Sequence, residues 1–149
     1  MKLYHFTSRI HLPYIMREGI TKGRIPWMID KRTGRVGLLR GNPRDPDDVY
    51  QWLTESDDWN QDWDLGTCPP LPPYTRTYTR IAVDFSGMEL RRLFRLSDFL
   101  KVNQPESAPF LTSFASSRHW YLYHGRIFPR QFIGFDQDPT RRERPPAQQ

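Results

Sequence analysis

The alternation of hydrophobic and polar residues near the start of the chain predicts a short strand. Within residues 2–6, Leu3 and His5 face one way while Tyr4 and Phe6 face the other, which is the two-residue period of a strand. His5 therefore lies inside an otherwise hydrophobic strand, and the hydroxyl residues Thr7 and Ser8 follow this strand directly.

Four later segments also have the pattern of strands. They are rich in β-branched and aromatic residues or alternate between polar and apolar positions. The segments are Val49–Thr54, Thr75–Phe85, Trp120–Tyr123 and Gln131–Phe135, and the second of them is predicted to be central. The pairs Trp27–Met28 and Leu38–Leu39 fit either short strands or the anchors of a long, turn-rich loop.

Two segments have helical spacing. The first begins near Leu12, because Pro13 is tolerated only in a first turn, and ends at Gly19, with Ile20 packing back. The second is predicted over Met88–Lys101. Its apolar residues are Leu90, Leu93, Phe94 and Leu100, and its opposite face carries Arg91, Arg92 and Arg95.

Strands outnumber helices and do not alternate with them regularly, which favours an α+β domain. The length of 149 residues suits one domain. We expect this domain over residues 1–135, followed by a polar, proline-containing tail over 136–149 that is frayed. The aromatic content of 14% and the 14 prolines favour a ring-rich core with stiff connections.

Composition excludes several classes of protein. No run approaches the roughly 20 apolar residues of a membrane helix, and the first residues lack a signal-peptide core, so a cytoplasmic protein is expected. Cys68 is the only cysteine, which excludes an internal disulfide, and no metal-binding motif occurs. The net charge is +5, and 18 of the 22 basic residues are Arg, whose forked side chain suits phosphate and carboxylate.

The arginines leave a binding function open. Arg91, Arg92 and Arg95, together with Arg141, Arg142 and Arg144 in the tail, would attract the phosphates of a nucleic acid. The alternative is a solvated helix face and a soluble tail. The acidic stretch 55–73 fits a solvated loop better than a calcium site, because it lacks the glycine and the terminal glutamate of a calcium loop.

Three motifs together resemble the ADP-ribosyltransferase-like superfamily, including its DNA-modifying toxin branch and the tRNA 2'-phosphotransferases. The first is LYHFTS at 3–8, followed by a short helix and Glu18–Gly19–Ile20. The second is VYQWLT at 49–54, an aromatic and apolar strand that ends in a hydroxyl residue. The third is WYLYHGRIFPRQFIGF at 120–135, which is similar to the closing pair of strands of that superfamily.

The resemblance implies two small antiparallel sheets in a split core, a few short helices and a cleft that binds NAD as a substrate. It implies catalytic roles around the sugar for His5, Thr54 and His119. It implies a cofactor pocket formed by His5, Phe6, Thr7, Ser8, Tyr14, Trp52 and Thr54, with Ser56 as a weaker choice for the second hydroxyl. Arg9, Arg35 and Arg80 are equal candidates for a bond to the pyrophosphate.

The sequence departs from the superfamily at the third motif. Transferases of this kind place a glutamate at the start of the penultimate strand, where its charge stabilises the oxocarbenium-like sugar. Here that position is occupied by His119. The acid would have to come from Glu55 or Asp84, or from Glu106 if the strand were assigned differently.

Three functions remain open at the level of sequence. The first, which we adopt as the prediction, is NAD-dependent transfer of ADP-ribose to a macromolecular acceptor, either protein or nucleic acid. The second is an RNA 2'-phosphotransferase-like activity that uses His119 and arginines in place of the glutamate. The third is a domain of the same fold that binds a nucleotide, a nucleic acid or a protein without catalysis.

Overall fold

The computed structural model describes residues 1–7, 9–22, 25–29, 36–39, 44–59, 79–103, 105, 108–112 and 115–138. Eight strands are present in this part of the chain: β1 (Lys2–Thr7), β2 (Ile25–Ile29), β3 (Val36–Leu39), β4 (Tyr50–Thr54), β5 (Thr79–Asp84), β6 (Leu93–Arg95), β7 (Trp120–His124) and β8 (Phe132–Gln137). Three α-helices are present as well: α1 (Leu12–Glu18), α2 (Leu96–Asn103) and α3 (Ala108–Leu111). Short 3-10 helices cover Arg9–His11, Gly87–Arg92, Ala115–His119 and Pro129–Gln131.

Six of the strands form one antiparallel sheet in the order β6-β7-β4-β1-β5-β8. The strands β2 and β3 form a separate antiparallel pair. The α+β prediction is therefore confirmed, and the predicted central strand lies inside the sheet as β5. The structure has one six-stranded sheet where two small sheets were predicted, because β4 pairs with both β1 and β7 and so joins the two halves.

The sheet is covered on both sides. On the side that we call the α1 side, Leu3, Leu53, Ile81 and Tyr121 pack with Ile15 of α1. On the opposite side, the α2 side, three residues of α2 pack against two of β7: Leu96, Phe99, Leu100, Trp120 and Leu122. Strand β7 faces a core on both sides, which explains why most of its sequence WYLYH is hydrophobic and its first four residues are all buried.

Helix α1 begins and ends as the sequence predicts. Pro13 lies in its first turn, and Gly19 ends it with a φ of 91°, a conformation that favours glycine. Gly19 also lies so close to the backbone of Ile127 that a Cβ would collide with it. The buried Ile20 forms a β-bridge with Ile127, which fixes α1 on the sheet.

The predicted single helix over Met88–Lys101 is wrong. The segment consists of the 3-10 helix Gly87–Arg92, strand β6 and helix α2. Its middle forms a ladder with β7, in which Leu93 pairs with Tyr123 and Arg95 with Tyr121. This pairing adds an edge strand to the sheet, and such a tertiary contact overrides helix propensity. The arginines of the segment therefore do not share one helix face.

The chain end differs slightly from the prediction. Strand β8 continues to Gln137, two residues past the predicted domain end, and Asp136 is bonded to Arg80 of β5. Residues 139–149 of the predicted tail lie outside the described residues. None of the helices in the described part of the chain is long and apolar enough to cross a membrane.

Candidate functional site

The candidate site lies where β4 ends and β7 begins. The two strands are antiparallel, with Thr54 opposite Trp120, so Glu55 and His119 are neighbours just beyond the ladder. The backbone N–H of Glu55 donates to the carbonyl oxygen of His119 at 3.0 Å. The side chains also meet, with Glu55 Oε1 at 3.0 Å from His119 Nδ1.

The partners of His119 determine which ring nitrogen carries its proton. A carboxylate oxygen only accepts hydrogen bonds, so Nδ1–H of His119 donates to Glu55. On the other side of the ring, Nε–H of Arg118 donates to His119 Nε2 at 3.0 Å. In this arrangement His119 is the neutral Nδ1–H tautomer, held between a carboxylate and a guanidinium.

A second arginine and a tyrosine complete what we call the Glu55 cluster: Glu55, Arg95, Arg118, His119 and Tyr121. Arg95 Nη1 lies 3.9 Å from Glu55 Oε1 and donates to the carbonyl oxygen of Arg118 at 3.2 Å. Its guanidinium stacks over the Tyr121 ring at 5.0 Å. The Tyr121 hydroxyl donates to Glu55 Oε2 at 3.5 Å.

The electrostatics of the cluster are visible in Tyr121. Burial raises the pKa of the Tyr121 phenol, the negative charge of Glu55 raises it further, and the nearby Arg95 opposes the shift. The side chains of Glu55 and His119 remain 35% and 34% exposed. A carboxylate and an imidazole that are oriented by arginines are therefore open to a ligand.

His5 lies on the same side of the sheet as the Glu55 cluster. It pairs with Ile81 of the α1 side, and Tyr121 belongs to the core of that side. Tyr4 pairs with Thr54, and His5 and Glu55 each directly follow one member of this pair in the chain. His5 Nδ1–H donates to the carbonyl oxygen of Trp52 at 2.9 Å.

Three predicted pocket residues lie on the α2 side, across the sheet from His5. Thr54 is fully buried, and its hydroxyl accepts the N–H of Ser56 at 3.1 Å. Trp52 packs edge-on against Trp120, with centroids 6.1 Å apart. Phe6 packs edge-on against Trp59 at 5.6 Å. Strand alternation separates them from His5, since odd and even positions of a strand face opposite sides.

The remaining predicted pocket residues are placed less uniformly. Thr7 is buried beside Thr79 on the α1 side, and Ser8 lies outside the described residues. Tyr14 packs against the α1-side core. Its hydroxyl is 3.0 Å from the hydroxyl of Thr21, and the ammonium of Lys22 lies 4.7 Å from the centre of its ring.

Of the three arginines that were candidates for binding the pyrophosphate, Arg80 is already bonded to other residues of the protein. It forms two bonds to the carboxylate of Asp136, at 3.1 and 2.6 Å, and it donates to the carbonyl oxygen of Asp57 at 2.5 Å. Its guanidinium also stacks over Trp59 at 4.6 Å. Arg9 lies exposed before α1, and Arg35 is outside the described residues.

Of the three alternative acids, Glu55 is the one in the cluster. Asp84 lies on the α2 side and binds the N-terminal ammonium of Met1 at 3.1 Å. Glu106 is outside the described residues. The sequence indicated Glu55 only as one alternative and Arg95 only as part of a basic helix face that would attract phosphates, and it gave no role to Arg118 or Tyr121. The missing signal is the pairing of β4 with β7, which joins residues 64 positions apart.

Other regions give weaker sites. In the described part of the chain, no group of three His, Cys, Asp or Glu side chains is placed to hold a metal ion. A concavity between α2 and α3 is lined by Ser97, Lys101, Pro105, Ala108, Pro109 and Thr112. Among these described residues are Lys101 and two hydroxyls but no carboxylate or imidazole, so the Glu55 cluster is the better candidate for chemistry.

Comparison with known proteins adds no constraint on this site: no family model matches the chain, and neither the curated proteins nor the solved structures give a match to it. The superfamily resemblance therefore rests on the sequence motifs alone.

Proposed function

We propose that this domain transfers ADP-ribose from NAD to a macromolecular acceptor, with Glu55 as the essential carboxylate. The observation that supports the proposal is the 3.0 Å hydrogen bond between the side chains of Glu55 and His119, just beyond the end of the β4–β7 ladder. The resemblance calls for a glutamate at the position of His119, and Glu55 reaches the same place from the neighbouring strand. The missing acid is thereby supplied across the ladder.

The chemistry needs a negative charge beside the sugar. Cleavage of the bond between ribose C1' and the nicotinamide nitrogen leaves positive charge on the sugar, and a fixed carboxylate stabilises that charge. Glu55 is suited to this role because His119 and Arg95 hold it in place while a third of the side chain stays exposed. Arg95 and Arg118 also provide positive charge for phosphate groups.

His5 is proposed to bind a ribose of NAD. Its position on the α1 side, directly after the Tyr4–Thr54 pair that Glu55 also follows, would place a hydrogen-bonding ring near the reacting sugar. The bond to the carbonyl of Trp52 fixes the orientation of the ring. Thr7, Ser8 and Tyr14 are proposed to line the same pocket, while Phe6, Trp52 and Thr54 support it from the α2 side.

The pairing pattern supports the proposed split of the sheet around a cleft. Strands β4 and β1 share one registered pair, Tyr4 with Thr54, whereas β1 and β5 share six pairs and β4 and β7 share five. The sheet thus consists of two well-paired halves with a short joint. His5 and Glu55 lie on the two sides of this joint.

Calorimetric titration with NAD tests the binding part of the proposal. Wild type should bind NAD, and His5→Ala should bind it about five- to ten-fold more weakly, because one good hydrogen bond is worth about 1–1.5 kcal/mol. His124→Ala is the matched control, since it removes a histidine of the same sheet outside the site. Equal affinity in wild type and His5→Ala would contradict the assignment of His5.

Turnover tests the role of Glu55. Glu55→Gln should lower nicotinamide release from NAD by about 10²–10³-fold, the usual loss when one electrostatic stabiliser is removed, while NAD affinity changes little. Asp48→Asn is the matched control, because Asp48 also binds a histidine of β7. Undiminished release by Glu55→Gln would overturn the proposal for this carboxylate.

A second candidate, nucleic-acid binding without turnover, is favoured by one observation. Phe128 is 36% exposed, and the guanidiniums of Arg126 and Arg130 lie 5.5 and 4.8 Å from its ring centre. Arginines beside an exposed ring suit phosphates and bases.

Affinity for single-stranded DNA and RNA at two salt concentrations distinguishes the candidates. A steep salt dependence without NAD consumption favours binding, and NAD consumption that is insensitive to salt favours the enzyme.

A further inference from the structure

We infer that His119 is the general base of the transfer and that the acceptor group is a neutral hydroxyl. This inference rests on the proposed function and adds to it the chemical class of the acceptor. It starts from the two partners of the His119 ring, Glu55 at Nδ1 and Arg118 at Nε2.

The bond to Glu55 prepares the ring to accept a proton. Because Nδ1 carries the hydrogen, the basic lone pair is on Nε2, and the carboxylate stabilises the imidazolium that forms after proton uptake. A base that is oriented by a carboxylate in this way is the recurring arrangement for activating a hydroxyl nucleophile.

Access to Nε2 depends on Arg118. Nε–H of Arg118 now donates to Nε2, but Arg118 itself is exposed and His119 is 34% exposed. A contact of this kind at the surface is worth little, because water competes for both partners. A hydroxyl of the acceptor can therefore replace Arg118 as the donor to Nε2.

The charges around the ring select the acceptor. Arg118 and Arg95 flank the Glu55–His119 pair, and their positive charge disfavours the ammonium of a lysine or the guanidinium of an arginine as acceptor. A carboxylate acceptor would need no base. A neutral hydroxyl satisfies both conditions, since it is uncharged and must lose a proton.

The step balances without any further reactant. The bond between C1' and the nicotinamide nitrogen breaks, and its electron pair neutralises the pyridinium. The bond between C1' and the acceptor oxygen forms, and the hydroxyl proton moves to Nε2 of His119. The products are nicotinamide, the O-linked ADP-ribose and a protonated His119, which returns its proton to solvent.

Alcoholysis of NAD with two small alcohols tests the inference. Formation of the O-linked ADP-ribosyl glycoside from methanol or from the more acidic 2,2,2-trifluoroethanol is measured together with nicotinamide release. His119→Ala should lower glycoside formation from methanol by about 10²–10⁴-fold, the usual contribution of a general base. The loss should be smaller with trifluoroethanol, because a more acidic alcohol depends less on the base.

Two further measurements separate a base from a structural residue. Added imidazole should restore the activity of His119→Ala by at least about ten-fold and should leave His124→Ala unchanged. His119→Gln, which retains a donor to Glu55 but has no basic atom, should be as inactive as His119→Ala. It is the second variant in case the alanine variant folds poorly.

The results that overturn the inference are distinct from those that overturn the proposed function. Wild-type protein that releases no nicotinamide overturns both. Wild-type turnover with an equally active His119→Ala, a loss that imidazole does not restore, or an equal loss for both alcohols overturns the role of His119 alone. If His119→Ala lost activity that imidazole did not restore, His119 would be a positioning residue for Glu55.

Discussion

The β4–β7 ladder carries a histidine–carboxylate pair at each end, and the two pairs differ in their surroundings. At one end His119 Nδ1 is 3.0 Å from Glu55, and at the other His124 Nε2 is 3.1 Å from Asp48. Each pair also lies beside a tyrosine whose pKa is raised, Tyr121 by burial and Glu55, and Tyr50 by burial and Asp48. The pairs are chemically alike.

The two histidines differ in their other neighbours. This difference distinguishes the His124–Asp48 pair, which is structural, from the His119–Glu55 pair, which is the candidate site. The His124 ring lies flat on Tyr50, with ring centres 4.4 Å apart and an interplanar angle of 4°, so one face of the ring is covered by its own fold. His119 is held by Arg118 instead and shares the side of the sheet that holds His5. A histidine bonded to a carboxylate is therefore weak evidence for function until its remaining partners are known.

The largest expected effect on stability comes from removing a core side chain next to the Glu55 end of the ladder. Leu53 is fully buried at the centre of the α1-side core, one residue from the Glu55 end of the ladder. Leu53→Ala should lower the free energy of unfolding by about 2–5 kcal/mol, since it leaves a cavity in a packed core. Urea denaturation measures this, and a loss below about 1 kcal/mol would show that the ladder is loosely packed.

A smaller loss of stability is expected from a substitution that affects the His124–Asp48 pair and leaves the His119–Glu55 pair unchanged. Gln51 is 1% exposed, and its Nε2 donates to the carbonyl oxygen of Gly125, next to His124. Gln51→Ala should cost about 1–3 kcal/mol, because a buried carbonyl loses its partner. Histidine NMR signals should shift for His124 and stay in place for His119. Equal shifts of both would mean that the two ends of the ladder are coupled.

Local sequence patterns were sufficient for much of the fold. Alternation predicted β1 and β5, and Pro13 with Gly19 predicted both ends of α1, because these features depend on neighbours in the chain. The break of the helix predicted over Met88–Lys101 was not predictable in this way. It depends on the pairing of Leu93 with Tyr123, and nothing local to Leu93 records that contact.

The candidate site was predictable only in part for the same reason. The motif around His5 and the position of His119 could be recognised locally. Whether Leu53 or Thr54 shares a side with His5 depends on the register between β1 and β4, which is a contact 50 residues apart in the chain. A shift by one residue reverses the facing of every side chain of a strand. The role of Glu55 depends on the β4–β7 register in the same way.

The two tyrosines give a pH test of the comparison. Burial is the main cause of both raised pKa values, and the carboxylates Asp48 and Glu55 add to it. Asp48→Asn should lower the pKa of Tyr50 alone, and Glu55→Gln should lower that of Tyr121 alone. Arg95→Gln should raise the pKa of Tyr121, because Arg95 opposes the shift.

The consequence for stability has a definite sign. A raised phenol pKa means that the folded state favours the neutral form, so the contribution is complete below the ordinary value of 10.0 and is lost as pH rises through the folded value. NMR titration with isotope-labelled tyrosine resolves the individual rings. If Asp48→Asn also shifted Tyr121, the two pairs would not be independent.

The smallest expected effect concerns the exposed ion pair beside the His124 end. Nε–H of Arg126 donates to Asp47 at 2.8 Å, but the two side chains are 37% and 52% exposed. Arg126→Gln should therefore change the free energy of unfolding by less than about 1 kcal/mol, and the change should vanish at high salt. Added salt should not weaken the Glu55 end in the same proportion, because there the main-chain N–H of Glu55 is bonded to the carbonyl oxygen of His119 and its carboxylate contacts both an imidazole and Arg95. Urea denaturation of Arg126→Gln and Arg95→Gln at low and high salt makes the comparison. A salt dependence of equal size in both variants would show that the arginines of the Glu55 cluster are ordinary surface charges, and the main structural difference between the two pairs would disappear.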